Sequence, residues 1–273
     1  MYDHTEIILS HIKQYTKGDQ CDFGWHYDKI NSFVKKKQPI KAIIPAFPGK
    51  PINPNLAPSN LPDGAEDYAI GTLKKLVMGI QKIYKPGIEI FLFHDGYYFI
   101  PLAMDYDYYR MQEYVDIIKK KCKGSSIFSI DMNDTTIGST FEARLNYWNY
   151  MNFPTSNELD AYLIKNPNIL IELSAFFFYN YSKYLYPTET THFRQKISKF
   201  IAQQYVKINL SVQKYIEKTY PDHLRLSVKQ QKDPHSRKIY IDVLDGIKNE
   251  GLPWMNTLLE EHGELVIKKF RDV

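Results

Sequence analysis

The residues Lys41-Ala-Ile-Ile-Pro-Ala-Phe47 indicate the fold class of this 273-residue chain. They form a short, continuous apolar run, which is typical of a strand buried on both faces of a parallel sheet. A second such run, Ile88-Glu-Ile-Phe-Leu-Phe93, ends in His94-Asp-Gly96. Between the two runs lie a long loop rich in proline and asparagine and, from Ala69 to Ile80, apolar residues at helical spacing. The order strand, long loop, helix, strand predicts a parallel α/β unit.

Further elements extend this unit towards the carboxyl terminus. Ser126 to Ile130 predicts a third strand, and the pattern is mainly helical over about 141–220. Leu224-Arg-Leu-Ser-Val228 and Lys238-Ile-Tyr-Ile-Asp-Val243 alternate polar and apolar residues, which predicts two half-exposed strands paired as a C-terminal β-hairpin. The sequence has no repeat and no linker. We therefore predict one domain over residues 1–273, with a helical insertion at about 141–220.

Composition argues against several classes of protein. The 35 Lys and Arg residues and 31 Asp and Glu residues leave a net charge of only +4, so no nucleic-acid partner is expected. The most apolar run, Ile169 to Tyr179, is shorter than the roughly 20 residues of a membrane span. It predicts a buried helix and no membrane partner. Two cysteines and an N-terminus without a secretory signal favour the cytoplasm. The scattered histidines predict no metal, and no other cofactor is expected.

Polar residues follow the first two predicted strands, where ligands bind in open α/β sheets. After Phe47, the loop offers the ammonium of Lys50 and the amides of Asn53 and Asn55. Lys50 could bind a phosphate or move a proton. The alternative for Lys50 is an exposed loop lysine without a role.

The second strand ends in a histidine and an aspartate. Asp95 can accept hydrogen bonds there, and His94 is of a residue type that titrates near neutral pH. An ordinary Asp-Gly turn beside a surface histidine is the alternative. Glu66 falls in the first turn of the helix after the long loop, where the helix dipole alone also favours a carboxylate.

Arg225 and Ser227 alternate along a predicted strand, so their side chains share one face, and Lys229 continues that face. A guanidinium and a hydroxyl together suit a phosphate or a carboxylate. The alternative is a solvated edge strand that charges protect from aggregation. We expect Lys50 and Arg225 to point into one cleft.

Four segments carry a resemblance to a known family. They are Ile44-Pro-Ala-Phe-Pro-Gly-Lys50 with Asn53-Pro-Asn55, then Leu61-Pro-Asp-Gly-Ala-Glu66, then Tyr84-Lys-Pro-Gly87 with His94-Asp-Gly96, and finally Tyr220-Pro-Asp-His-Leu-Arg-Leu-Ser227 with Pro253-Trp254. In this order they resemble "PAFPAKSPNPN", "LPDLGEE", "YPPG" with "SDGRVF", and "FPDHIRLSIHP" with "PWH". These are motifs of the pyoverdine/dityrosine biosynthesis family, the isonitrile (isocyanide) synthases.

The resemblance implies a Rossmann-like α/β enzyme of secondary metabolism. It implies that the amine of an amino acid, expected to be aromatic, joins the ketone of ribulose 5-phosphate, whose C2 becomes the isonitrile carbon. A downstream tailoring oxygenase is an expected partner. On this basis the candidate catalytic residues are Lys50, Glu66, His94 and Asp95, and the candidate substrate-binding residues are Asn53, Asn55, Arg225, Ser227, Lys229 and Trp254.

The sequence departs from the family motifs at three positions. His94 stands where the family has serine, and Lys229 and Met255 stand where it has histidine. Two alternatives to an isonitrile synthase therefore stay open. One is a relative that forms an N-formyl amino acid, and the other is a catalytically degenerate protein that binds a sugar phosphate or an amino acid.

Overall fold

The computed structural model of the chain describes residues 4–16, 23–50, 53, 57–96, 108–136, 138–229, 237–249 and 251–268. Its helices in these ranges are α1 (His4–Lys13), α2 (Phe23–Lys36), α3 (Gly64–Ile83), α4 (Tyr108–Cys122), α5 (Phe141–Asn152), α6 (Ser156–Lys165), α7 (Ile169–Phe177) and α8 (Thr191–Thr219). Its strands are β1 (Ile40–Pro45), β2 (Ile88–His94), β3 (Ile127–Asp131), β4 (Leu224–Ser227), β5 (Ile239–Tyr240), β6 (Lys248–Asn249), β7 (Thr257–Glu261) and β8 (Glu264–Lys268).

The central sheet joins the first five strands in the order β3-β2-β1-β4-β5. Every neighbouring pair in this sheet is parallel, which confirms the predicted α/β class. Strand β1 lies in the middle, and Ile40, Ala42, Ile43 and Ile44 are fully buried. Burial on both faces explains why the run that indicated the fold is continuously apolar.

Helix α3 connects β1 to β2 and begins where the sequence predicts. Asp63 is its N-cap, and its side chain accepts a hydrogen bond from the Ala65 amide, while the Glu66 side chain accepts one from the Asp63 amide. This reciprocal arrangement is a capping box, which satisfies amides that a helix start leaves free. Leu73 and Ile80 are fully buried, so the apolar side of α3 packs into the core.

The interval between β3 and β4 contains helices α5 to α8. Helix α7 continues through a π-helical turn, Phe178–Ser182, and a short helical turn, Lys183–Leu185. Helix α8 packs beside α7 and also covers the sheet, where the rings of Tyr215 and Phe93 lie 5.7 Å apart. The helical insertion therefore contacts the sheet on the face to which Phe93 points.

The prediction that Ile169 to Tyr179 is buried is wrong. Its helix exists, but Ile171 is 69% exposed and Tyr179 is 65% exposed, and Phe177 is the buried residue that the structure gives for α7. Hydrophobicity predicts a helix with an apolar surface, but it does not tell whether other elements cover more than one side. Among the described residues, no helix combines the length and apolar character that crossing a membrane would require.

The predicted pairing of the two strands after residue 220 is also wrong. Strands β4 and β5 run parallel, with Leu226 beside Ile239, and β4 lies between β1 and β5 rather than at an edge. Their polar residues alternate because one face meets α8, not because it meets water. The C-terminal hairpin is formed by β7 and β8, which are antiparallel. His262 and Gly263 join them with φ values of 53° and 81°, as a tight hairpin turn requires.

Candidate functional site

The sheet order places the candidate site beside β1. All five strands are parallel, so their carboxyl ends meet at one edge of the sheet. The chain continues from β1 to β2 on one side, whereas β4 occupies the other side, which makes the β1/β4 boundary a topological switch point. Ligands bind at such a point in open α/β sheets. The segments that follow β1, β2 and β4 therefore form the candidate site.

The loops after β1 and β2 touch through their backbones. A Cβ atom added to Gly96 would lie 1.7 Å from the carbonyl oxygen of Pro48, so the two loops meet closely where Gly96 has no side chain. Phe47 has a φ of 55°, which is rare for a bulky residue and marks local strain. The ring of Trp254 packs edge-on against Phe47, with the ring centroids 5.6 Å apart. Trp254 thus supports the strained loop.

His94 holds the same loop from inside the sheet. Its ring is fully buried, and Nδ1 lies 3.1 Å from the carbonyl oxygen of Phe47. Because a carbonyl only accepts, Nδ1 carries the proton and Nε2 accepts from the Ser129 hydroxyl on β3. Burial lowers the pKa of His94 to about 4, so the ring is neutral at pH 7. Both ring nitrogens have partners in the protein.

Lys50 lies at the centre of a buried ion-pair cluster. Its side chain is 0% exposed, so the exposed-lysine alternative does not describe it. The ammonium Nζ lies 2.9 Å from Asp63 Oδ2, 3.2 Å from Glu66 Oε2 and 2.7 Å from the carbonyl oxygen of Asn256. These three acceptors match the three donors of an ammonium group. Lys50 therefore ties the loop after β1 to the start of α3 and to the segment before β7.

Glu66 is the buried carboxyl of this cluster. Its Oε1 accepts a hydrogen bond of 3.1 Å from the Tyr114 hydroxyl of α4. Burial raises the pKa of Glu66 to about 8, against the lowering effect of the Lys50 ammonium. The Thr257 hydroxyl donates to Asp63 at 2.8 Å and completes the cluster. Four segments that are distant in sequence thus meet at Lys50 and Glu66.

Asp95 and Lys229 face each other from the ends of β2 and β4. Asp95 is partly exposed, and Lys229 is exposed. Partial burial raises the pKa of Asp95 to about 6, and Lys229 opposes this shift. Burial opposes protonation of Lys229, but the Tyr205 hydroxyl, 2.9 Å from its Nζ, and the Asp95 carboxylate raise the pKa of Lys229 overall. The site therefore combines a carboxylate of raised pKa with an ammonium that stays charged.

Arg225 and Ser227 take different positions on β4. Arg225 is 7% exposed, and its Nη1 lies 3.8 Å from Glu217 Oε1 on α8. The Ser227 hydroxyl donates to the carbonyl of Lys229 at 2.9 Å and accepts from its amide at 3.1 Å, which shapes the turn after β4. Lys50 and Arg225 have separate sets of partners, and their convergence on one cleft stays a prediction.

The π-helical turn connects the helical insertion to the loop after β1. The Asn53 side-chain amide donates a hydrogen bond to the carbonyl oxygen of Asn180 in this turn. Asn55 lies outside the described residues. A π-helical turn inside a longer helix is frequent at functional sites, because it leaves irregular backbone groups available.

Aromatic side chains of the insertion extend towards the C-terminal segment. Tyr181 is buried, its hydroxyl donates to Met255 Sδ at 3.5 Å, and burial raises its pKa above the ordinary value. Tyr181 and Tyr205 both pack on the ring of Phe177, at 5.7 and 5.9 Å between centroids. Tyr205 in turn contacts Lys229. An apolar, aromatic surface thus lies next to the charged groups.

These contacts join several segments into a ring around the carboxyl ends of β1, β2 and β4. Its members are the loop from Phe47 to Asn53, the segment from Trp254 to Thr257, the turn at Asn180 and Tyr181, Tyr205 of α8, and the ends of β4 and β2 at Lys229 and Asp95. The part of the chain that the structure describes contains no group of three or more His, Cys, Asp or Glu side chains placed to hold a metal ion.

A sequence model of the pyoverdine/dityrosine biosynthesis protein family matches residues 30–163 and 173–273. The chain belongs to this family. The family's predicted kind of enzyme, an isonitrile synthase-like one, is confirmed by relatives in two bacteria. The L-tryptophan isonitrile synthase AmbI1 of Fischerella ambigua is 23% identical over 284 residues, which cover 98% of this chain and 89% of the relative. The L-tyrosine isonitrile synthase of Xenorhabdus nematophila is 27% identical over 255 residues, which cover 90% and 75%.

A solved structure shares the fold of this pyoverdine/dityrosine biosynthesis family member. The crystal structure of the PvcA protein from Pseudomonas aeruginosa matches with a TM-score of 0.87 over 99% of this chain and 93% of that chain. The sequence identity is 18%, so this likeness concerns the fold alone.

Sequence reasoning missed several residues of the site in this family member. Asp63 was recognisable as a helix cap, but its pairing with Lys50 was not. Tyr181 and Tyr205 carry no motif and are two among 22 tyrosines. Thr257 and Tyr114 belong to elements whose place beside the loop is a matter of tertiary structure. No local pattern in the sequence could have singled out these last two residues.

Proposed function

We propose that this chain is an isonitrile synthase that condenses the amine of an aromatic amino acid with the C2 ketone of ribulose 5-phosphate. The observation that carries the proposal is the pair Asp95 and Lys229, a carboxylate of raised pKa and a charged ammonium at the ends of neighbouring crossovers. The named activities of the relatives support the reaction class.

Asp95 is proposed as the general base. An amino acid enters as an ammonium and must lose a proton before its nitrogen can attack a ketone. A carboxylate with a pKa of about 6 is ionised at neutral pH and is a stronger base than an ordinary aspartate. Asp95 is also partly exposed, so a substrate can reach it.

Lys229 is proposed to stabilise the oxygen of the ketone during addition. In this step the nitrogen lone pair forms the bond to C2, and the C=O π electrons move to oxygen, which takes a proton. The nitrogen loses a proton to Asp95, so the adduct is a neutral carbinolamine. A fixed ammonium beside the developing oxyanion lowers the barrier of such a step. Its hydrogen bond to Tyr205 holds Lys229 in place.

The aromatic surface favours an aromatic amino acid. Tyr181, Tyr205 and Phe177 lie together, and Met255 adds a polarisable sulfur at 3.5 Å from the Tyr181 hydroxyl. Aromatic rings and thioethers pack well against an aromatic side chain. We propose that the substrate's side chain lies against this surface, in the cytoplasm, and that a tailoring oxygenase processes the product.

Lys50, Glu66 and His94 are proposed to act on the reaction through position. The donors of Lys50 and the ring nitrogens of His94 all have protein partners, so these groups shape the loop that faces the substrates. Arg225 is proposed to bind the sugar phosphate, since a guanidinium suits that group. Asn53 and Trp254 are proposed to support the amino-acid side of the loop.

The proposal is tested by product analysis. The purified chain is incubated with each of the twenty amino acids and with ribulose 5-phosphate that carries ¹³C at C2, and products are followed by mass spectrometry and ¹³C NMR. We expect an isonitrile of tyrosine or tryptophan with the label in the isonitrile carbon. Asp95→Asn should lower turnover by about 10²-fold or more while it keeps both substrates bound.

Each alternative has its own outcome in this experiment. A labelled N-formyl amino acid, with no isonitrile at early times, would replace the proposed product by the formamide. Binding of both substrates without any product would make the chain a binding protein. Asp95→Glu serves as the conservative control, because it retains a carboxylate and should keep more activity than Asp95→Asn.

A further inference from the structure

Two cationic side chains stand side by side under α8 with little to balance their charge. Leu226 pairs with Ile239 in the parallel ladder of β4 and β5. Arg225 and Lys238 precede these residues, so they are neighbours on the face opposite to Leu226 and Ile239. Helix α8 covers this face, with Glu217 at 3.8 Å from Arg225 and Gln213 at 2.7 Å from Lys238.

The Arg225 guanidinium is incompletely paired. It is 7% exposed, and its Nε is buried and donates to no acceptor in the part of the chain that the structure describes. Glu217 is outside hydrogen-bond distance, and its side chain is 70% exposed to solvent. A guanidinium normally donates several hydrogen bonds when it is buried, because an unpaired donor there costs about 1–3 kcal/mol.

The neighbouring lysine responds to this excess of positive charge. Burial lowers the pKa of Lys238 to about 8, and Arg225 lowers it further. Two cations therefore share one exposed carboxylate, where a group with two negative charges would be stabilised. Ser227, at the end of the same strand, points to the same face as Arg225.

We propose that Lys238 and Arg225 together form the subsite for a phosphate monoester, which is the phosphate of the pentulose phosphate in the proposed function. Gln213 holds the Lys238 ammonium beside Arg225. This assignment rests on the proposed function for the identity of the sugar, but the phosphate chemistry comes from the two cations. It adds Lys238 and Gln213 to the site and separates the phosphate from Lys229, which hydrogen-bonds Tyr205.

The subsite is tested by calorimetric titration of the purified chain with inorganic phosphate, with ribulose 5-phosphate and with unphosphorylated ribulose. The variants are Lys238→Gln and Arg225→Gln. Lys214→Gln is the matched control, since Lys214 also lies on α8's surface and pairs with Glu158 at 3.1 Å, both exposed. We expect Lys238→Gln to raise the Kd of ribulose 5-phosphate and of inorganic phosphate about tenfold, which is about 1.4 kcal/mol.

The other arms separate the sources of the effect. Lys238→Arg should keep the Kd within about threefold of wild type, because it retains the charge, and affinity for ribulose and for the amino acid should not change in Lys238→Gln. Equal ribulose 5-phosphate affinity in Lys238→Gln and wild type would overturn the subsite. So would an equal loss in Lys214→Gln, which would indicate general charge attraction.

These outcomes are distinct from failure of the proposed function. An active wild-type enzyme whose affinity for phosphate ignores Lys238 overturns the subsite alone. A chain that makes no isonitrile, but loses inorganic phosphate binding in Lys238→Gln, overturns the proposed function and leaves the phosphate subsite intact.

Discussion

At the scale of single residues, burial determines which protonation state each group at the site adopts. His94 is neutral because burial lowers its pKa to about 4, whereas Glu66 has a pKa raised to about 8. Asp95, nearer to solvent, has a pKa of about 6. The three values differ because the same desolvation disfavours the charged form of an acid and of a base in opposite directions. Only Asp95 combines accessibility with a pKa near neutral pH.

Gly96 is the residue at which the chain tolerates no side chain. Gly96→Ala places a Cβ atom 1.7 Å from the Pro48 carbonyl oxygen, so one of the two loops must move. We expect the free energy of unfolding to fall by at least about 2 kcal/mol in chemical denaturation. Gly71→Ala is the control, because that position in α3 has nothing within 4 Å and should gain up to about 1 kcal/mol from helix propensity. Similar stability of both variants would contradict the close approach.

At the scale of elements, two segments hold the site from outside the parallel sheet. The π-helical turn Phe178–Ser182 binds Asn53 through the carbonyl of Asn180. The segment before β7 binds Lys50 through the carbonyl of Asn256 and packs Trp254 on Phe47. The loop after β1 has prolines that lack amide donors, so it depends on these contacts for its conformation.

Lys50 is the cation through which the segment before β7 is attached. Lys50→Met leaves Asp63 and Glu66 without their ammonium partner in a buried position. Removing one partner of a buried pair costs about 3–5 kcal/mol, so we expect a loss of this size in the free energy of unfolding. Lys214→Met is the control, because its pair with Glu158 is exposed and should cost less than about 1 kcal/mol. Equal losses would show that the Lys50 cluster does not stabilise the fold.

Both substitutions of family histidines at the C-terminal side face tyrosines of the helical insertion. Lys229 contacts Tyr205, and Met255 contacts Tyr181. Restoring histidine at both positions changes the proton-transfer groups near the proposed amine. We therefore expect a change in turnover or in amino-acid preference, with ribulose 5-phosphate affinity within about threefold, or about 0.65 kcal/mol. Steady-state kinetics and calorimetry measure the two effects. A loss confined to ribulose 5-phosphate affinity would contradict this division of the site.

At the scale of the whole molecule, the site exists because β4 pairs with β1. About 180 residues lie between these strands in sequence, yet Ile43 and Arg225 are partners in the ladder. Helices α5 to α8 fill the interval, and α8 returns across the sheet. The folding of the whole chain thus decides which groups meet at the β1/β4 boundary.

Global stability should reflect the buried histidine. The pKa of His94 is lowered from 6.5 to about 4 in the folded chain, so the unfolded chain binds the proton first. The stabilisation by neutral His94 is complete above pH 6.5 and is lost as the pH falls towards 4, by up to about 3 kcal/mol. Urea unfolding of His94→Asn at several pH values should show a correspondingly weaker loss on acidification than wild type. His262→Asn is the control, and parallel curves for wild type and His94→Asn would contradict the assignment.

Local patterns predicted much of the fold because they reflect local physics. The apolar runs of β1 and β2 follow from burial on both faces, and the cap of α3 follows from Asp63 and Glu66 at capping-box spacing. The hairpin prediction failed because alternation in β4 and β5 has the same pattern whether the polar face meets water or α8. The exposure of α7 was missed for the related reason that hydrophobicity does not identify what covers a helix.

The sequence by itself determined the α/β class, the ends of β1 and β2, the start of α3 and, through the motifs, the family. These features depend on residues within a few turns of one another. The tertiary structure alone decided that Lys50 pairs with Asp63 and Asn256, that Lys229 lies between Tyr205 and Asp95, and that Lys238 stands beside Arg225. Such contacts arise when distant segments pack together and lose water, and the partners of a buried charge are then selected by geometry that no local pattern records.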